Sequence, residues 1–169
     1  GGYQIYSLEG FRKIENEGVI FKSHLDGSMH QFTPESIIDI QRKIGSDLMM
    51  ILDVCPSGKS DLKELEKAVD LTTKWAYQSF EHYNKTTPLY GFKQSIIPII
   101  QGGTDNELRK KSANSLLDLD LDNYAIGGLA VGESKESMLS TINFMNDIIP
   151  LNKSRYLMGV GTPVDIIKC

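Results

Sequence analysis

The stretch Tyr124-Ala125-Ile126-Gly127-Gly128-Leu129-Ala130-Val131-Gly132-Glu133 carries the pattern from which the fold is read. Tyr124 to Ile126 suit a short buried strand, and they run straight into paired glycines. Such a pair lets backbone approach a ligand closely and offers N–H donors, although a tight turn needing positive φ would use the same residues. The pattern repeats outward in both directions. Leu48-Met49-Met50-Ile51-Leu52 is a continuous apolar run, as expected of a buried parallel strand, and it leads into Asp53 and Cys55. Ile96 to Ile100 leads into Gln101-Gly102-Gly103, and Tyr156-Leu157-Met158 into Gly159-Val160-Gly161. Pro98 sits awkwardly within the second of these runs, because proline removes a ladder donor.

Helical segments lie between the runs. Thr33 is an N-cap with Pro34 at the first helical position, Ile37, Ile38, Gln41 and Ile44 continue with helical spacing, and Gly45 ends the helix. Asp61 caps a long helix whose expected buried side is Leu62, Leu65, Val69, Trp75 or Ala76, and Phe80. A helix from about Thr104 carries Leu108, Ala113, Leu116 and Leu117 on one side. Ser134 caps a helix bearing Met138, Leu139, Ile142, Met145 and Ile149, and Pro163 opens another. Near the N-terminus, Val19–His24 and Met29–Phe32 flank Leu25-Asp26-Gly27-Ser28, a hairpin signal. Strands alternating with helices define an α/β protein with a parallel sheet. Unusual residues at the C-terminal ends of several strands favour a partial TIM-type (β/α) barrel with a β-hairpin near the N-terminus. An open doubly wound sheet uses the same edge and stays open as an alternative.

Bulk properties narrow the partners. The 169 residues are 40% hydrophobic and 24% charged, with net charge −4 and pI near 5.4. No apolar run approaches the roughly 20 residues needed to cross a bilayer. No basic stripe is visible, so a nucleic-acid partner would draw on local patches or on other parts of a larger protein. Cys55 and Cys169 do not make a disulfide framework, and the reducing cytoplasm is the natural compartment. His24, His30 and His82 are scattered and show no zinc-ligand spacing with the cysteines. Gly1-Gly2 at the start and the barely begun helix from Thr162 to Cys169 suggest a piece cut at both ends.

Four side chains stand out chemically. Asp53, directly after a strand, can accept two hydrogen bonds from a planar donor edge such as the ring N–H and amine of guanine; a structural turn would also employ it. The Gln101 amide can donate to a carbonyl oxygen such as guanine O6, or satisfy loop backbone. Tyr3 and Met158 can hold a flat base between an aromatic face and a thioether, or simply pack in a core. The glycine pair lacks both Rossmann spacing and a phosphate-loop lysine.

Taken together, Gly1-Gly2-Tyr3-Gln4, Ser23-His24-Leu25-Asp26-Gly27-Ser28, Gly45-Ser46-Asp47, Ile100-Gln101-Gly102, the run from Tyr124 to Glu133 and Tyr156-Leu157-Met158-Gly159-Val160-Gly161 resemble, in order and spacing, the bacterial tRNA-guanine transglycosylases. The resemblance spans Gly1 to about Asp165. It implies a modified eight-stranded β/α barrel with a zinc-binding insertion near its C-terminus. Residues 1–169 would be the central part of that one barrel domain, truncated at both ends and without the zinc part. By match, Asp53 accepts the guanine N1–H and amine, Gln101 and the Gly128 N–H in the Gly127-Gly128 turn hold O6, and the Leu129 carbonyl accepts from the aminomethyl group of 7-aminomethyl-7-deazaguanine. Tyr3 and Met158 sandwich the base and Cys55 lines the pocket.

The implied reaction is base exchange at the anticodon wobble position in queuosine biosynthesis, on a tRNA with a GUN anticodon and a flipped-out nucleotide. An aspartate attacks ribose C1′, guanine leaves, and the new base displaces the enzyme. The resemblance places that nucleophile beyond Cys169, the acid/base aspartate just before Gly1, and the zinc cysteines downstream, so no catalytic residue and no metal ligand is expected within this chain. A homodimeric cytoplasmic enzyme is implied when full length. Asp53-Val54-Cys55 departs from the usual Asp-Glu-Cys, and the loop from Pro56 to Ser60 is shorter than usual. The form Leu129-Ala130-Val131-Gly132 points to the aminomethyl precursor rather than queuine. The alternative is a non-catalytic subunit of a heteromeric transglycosylase; retention of Asp53, Gln101 and the whole glycine run favours the enzyme.

Overall fold

A computed structural model describes Gln4, Ser7, Leu8 and residues 10–169. The chain opens with an antiparallel meander of β1 (Arg12–Glu15), β2 (Gly18–Lys22) and β3 (Met29–Phe32), in register at Arg12↔Phe21 and Val19↔Phe32. The hairpin between β2 and β3 is the expected one, closed by Asp26, whose carboxylate accepts from the Ser28 N–H at 3.1 Å. Strand β2 ends at Lys22 rather than His24, because Ser23 already bonds across the turn to the Ser28 carbonyl. Strand β1 carries no alternating apolar signal, and its place is decided by pairing. A Cβ on Gly18 would lie 2.1 Å from the Phe32 carbonyl oxygen, so the β2–β3 approach admits only glycine there. Trp75 anchors the meander by donating Nε1–H to the Asn16 carbonyl at 3.0 Å, and Val19, Leu52 and Trp75 form a small separate core.

Parallel strands and helices then alternate: α1 (Pro34–Ile44), β4 (Leu48–Met50), α2 (Leu62–Lys85), β5 (Ser95–Ile97) and β6 (Ile99–Ile100), α3 (Asn106–Leu117), β7 (Asn123–Ile126), α4 (Lys135–Ile148), β8 (Ser154–Leu157) and α5 (Pro163–Lys168). Thr33, Asp61, Asp105, Ser134 and Thr162 each accept a main-chain N–H of the helix they open, which satisfies a donor the helix cannot. Strands β5 and β6 are two halves of one extended run. Pro98 interrupts it because it has no N–H, yet its carbonyl still accepts from Ala125 at 2.9 Å. The pairs are parallel, with Leu48↔Ser95, Ile99↔Ala125 and Ala125↔Tyr156 in register. The parallel strands thus follow sequence order, β4 beside β5 in one sheet and β6, β7 and β8 in another, with a helix between β4 and β5, between β6 and β7 and between β7 and β8. The mixed α/β class read from the sequence holds.

The main core is the apolar strand run itself, Met49, Ile51, Ile97, Ile99, Ile100 and Ile126, covered by Ala76, Leu116, Ile142 and Met145 from the helices. Three expectations need correction. Leu62 is 60% exposed, because the buried face of α2 begins at Ala68, beyond its first turn. Leu48 is also exposed, as the first residue of β4. Helix α3 starts at Asn106 rather than Thr104, since the Asp105 side chain caps it through the Leu108 N–H.

Arg42 ties the α1 and α2 ends to the start of β5. It donates to Gln94 Oε1 at 3.0 Å, to the Tyr83 carbonyl at 3.1 Å and to the Thr86 carbonyl at 3.2 Å, and lies 4.5 Å from the Tyr83 ring centre. Arg42→Ala orphans those acceptors. We expect it to destabilise the fold by about 2–4 kcal/mol, read as a lower urea midpoint in equilibrium unfolding.

Candidate functional site

The carboxyl ends of the parallel strands converge on a cavity of about 330 Å³. Asp53, Cys55, Gly127, Gly128, Leu129 and Met158 line it, so six of the residues singled out in the sequence meet there. Asp53 and Cys55 arrive at the end of the segment that continues β4, Gly127 to Leu129 directly after β7, and Met158 directly after β8. Met158 stands one residue beyond the strand that was expected to include it, while its N–H still bonds to the Ile126 carbonyl at 3.1 Å. Tyr3 lies outside the described residues.

Gln101 stands behind the cavity rather than on its wall. It is fully buried, and its Nε2 donates to Asp53 Oδ2 at 2.8 Å. Its Oε1 is buried without a hydrogen-bond partner. The glycine pair packs directly against this amide. A Cβ on Gly127 would meet Ile99 Cγ2 at 2.6 Å and Gln101 Nε2 at 2.9 Å; one on Gly128 would meet Gln101 Oε1 at 2.3 Å. Gly128 also has φ +65, in the left-handed region. Close approach of backbone to an amide is therefore why glycines stand here.

Cys55 is shielded from water, and this burial, helped by the neighbouring Asp53 carboxylate, pushes its thiol up to about 11 against the opposing Gly128 backbone hydrogen bond. The thiol is neutral near pH 7, which suits a pocket wall rather than a nucleophile or metal-binding thiolate. Among the described residues, no group of three or more His, Cys, Asp or Glu could hold a metal ion.

Sequence reasoning missed several residues of the site. Gln4, Ala130, Val131, Tyr156 and Gly159 also line the cavity. The Glu133 carboxylate accepts the Ala130 N–H at 2.5 Å and the Val131 N–H at 3.0 Å, holding a loop in which Ala130 adopts φ +57. A carboxylate five residues after the Gly127-Gly128 turn was the available signal. Arg109 and Ser112, both fully buried on α3, bond to the loops of the site. A charged residue beside Leu108, on a face continued by Ala113 and Leu116, was the clue to Arg109. A larger depression of about 520 Å³, lined by Arg42, Tyr83, Phe92 and Gln94, lies toward the start of β5, away from these groups.

Fold and site define an α/β protein with a small cavity at its strand ends, adjoined by a buried carboxylate–amide pair. A family profile described as queuine tRNA-ribosyltransferase matches residues 1–169, and the chain belongs to that family. Proteins named queuine tRNA-ribosyltransferase from Lawsonia intracellularis and Ruminiclostridium cellulolyticum are 48% and 47% identical to it, and one from Caldanaerobacter subterraneus subsp. tengcongensis is 45% identical. Each match covers 99% of this chain and 44% of the relative, so the chain spans less than half the length of these curated relatives.

The raised Cys55 thiol gives a pH signature. Between an unfolded-state value of about 8.5 and the folded value of about 11, the native state keeps a proton that the unfolded chain releases, so this group's stabilising contribution declines as pH rises through that window. Iodoacetamide alkylation of native Cys55, followed by peptide mass spectrometry, should still be accelerating at about pH 10, whereas in urea it should level off above the ordinary thiol range.

Proposed function

We propose that this chain is the base-reading part of a tRNA-guanine transglycosylase, which replaces guanine at the anticodon wobble position with 7-aminomethyl-7-deazaguanine. One observation carries this reading: the buried Asp53–Gln101 pair, bonded at 2.8 Å, adjoins the Gly127-Gly128 backbone at a cavity of about 330 Å³. A carboxylate accepts only, and guanine presents two adjacent donors, N1–H and the exocyclic amine, to such an acceptor. Adenine turns an unprotonated N1 toward the same carboxylate and is disfavoured. The Gln101 amide has two N–H groups. One is on Asp53; for the other to meet O6 beside the Gly128 N–H, Gln101 has to shift from behind the cavity onto its wall. Cys55 faces that Gly128 N–H and gives it up when the base enters. The Leu129 carbonyl is the acceptor for the aminomethyl group, and the Met158 thioether covers one face of the ring, with Tyr3 on the other.

The sequence-ordered parallel strands with intervening helices support a partial TIM-type barrel, with residues 1–169 as the central part of that one domain. The substrate is a tRNA whose target nucleotide is flipped into the pocket, since a stacked purine cannot offer this edge. Bond exchange proceeds by double displacement through a carboxylate nucleophile that we place outside residues 1–169, as we place the zinc ligands. The working protein is a cytoplasmic homodimer on this reading, and no helix among the described residues is long and apolar enough to cross a membrane. Retention of the complete recognition set favours the enzyme over a non-catalytic subunit.

In the full-length protein, Asp53→Ala should weaken guanine binding by about 1–3 kcal/mol in titration calorimetry, because buried donors lose their acceptor. Wild-type affinity in that variant would count against the assignment. Residues 1–169 alone should not incorporate labelled guanine into tRNA; incorporation by the purified piece would place the nucleophile inside it.

A further inference from the structure

Helix α3 sends its polar buried groups into the base-reading loops. Arg109 is fully buried, and its guanidinium donates to three main-chain carbonyls: Nε to Gly103 at 2.7 Å, Nη1 to Ile100 at 2.9 Å and Nη2 to Gly128 at 3.4 Å. Ser112, one turn on and also fully buried, accepts the Gln101 N–H at 3.1 Å. Arg109 forms no ion pair among the described residues. Burial pushes its pKa down to about 10, which leaves it charged near neutral pH.

Burying a guanidinium without a carboxylate is costly, and an apolar side chain would pack on this face without that cost. The planar fork does what no apolar residue can: it reaches several acceptors in fixed geometry. Those acceptors belong to the end of β6, to the Gln101-Gly102-Gly103 loop and to the Gly127-Gly128 turn. The helix lies close on that loop, for a Cβ on Gly102 would come within 2.7 Å of the Arg109 main-chain nitrogen. A trans peptide points its C=O and N–H in opposite directions. Drawing the Gly128 carbonyl toward Arg109 therefore turns the Leu129 N–H away from α3, and with it sets the plane of the turn.

We propose that Arg109, seconded by Ser112, is a positioning residue for base recognition: it holds the glycine turn and the Gln101 loop in one register along the oxygen-bearing edge of the purine. This rests on the base-reading assignment above. Lysine keeps the charge but not the fork, so Arg109→Lys frees the turn while leaving the buried cation.

The test is guanine titration calorimetry on the full-length wild type and on Arg109→Lys, with thermal unfolding of both. A positioning role raises Kd about tenfold at unchanged stoichiometry. A merely structural role lowers the stoichiometry or the unfolding temperature and leaves the Kd of the folded fraction as in wild type, and that result overturns the proposal. Should Arg109→Lys not fold, Ser112→Ala decides the matter in the same way, with an expected rise in Kd of about threefold. A wild-type protein that does not bind guanine at all would instead remove the base-reading assignment on which the proposal stands.

Discussion

The hydrogen bond between the Gln101 amide and the Asp53 carboxylate depends on two facts that lie far apart in the sequence. The two residues follow different strands, and each is buried, so neither can be satisfied by bulk water. A buried carboxylate or amide without a partner is costly, and this pair resolves part of that cost for both. The bond also fixes the rotamer of Gln101, and it does so only because Gly127 and Gly128 leave room for its side-chain atoms. Sterics, hydrogen bonding and burial thus act on the same few atoms. One amide oxygen remains without a partner, which marks the site as polar beyond its own needs.

Around that pair the protein uses main chain as much as side chains. The loop after β7 is held from below by Arg109 and from its far end by Glu133, so the backbone between them has little freedom. A site built this way presents N–H and C=O groups at set positions without spending side-chain entropy on each contact. It also explains why the pocket is small and has few titratable groups. Cys55 is a neutral wall, and Asp53 is the one carboxylate among the described residues that line the cavity.

Several elements are legible in the residues alone. The apolar runs at Met49–Leu52 and Ile96–Ile100, the caps at Thr33, Asp61 and Ser134, and the hairpin around Asp26-Gly27 are local signals, and local physics produces them. The strand Arg12–Glu15 is not legible in this way, because its pairing with β2 and not its own composition makes it a strand. Leu62 and Leu48 show the converse: apolar identity suggests burial, but both sit at the first residue of their elements, where packing has not begun. Arg109 is hidden because a helix-face pattern counts apolar residues and passes over a single charge.

By itself the sequence determined the alternation of parallel strands with helices, the residues that follow those strands, and the family to which the chain belongs, since these follow from periodicity, capping and ordered motifs. Only the tertiary structure decided which strand ends meet. It showed that Gln101 stands behind the cavity rather than in its wall, and that Arg109 and Ser112 support the loops of the site. The physical reason is that hydrogen bonds such as Gln101–Asp53 and Arg109–Gly128 join segments whose separation along the chain says nothing about their distance in space. Packing of helix on sheet sets that distance, and with it the chemistry available.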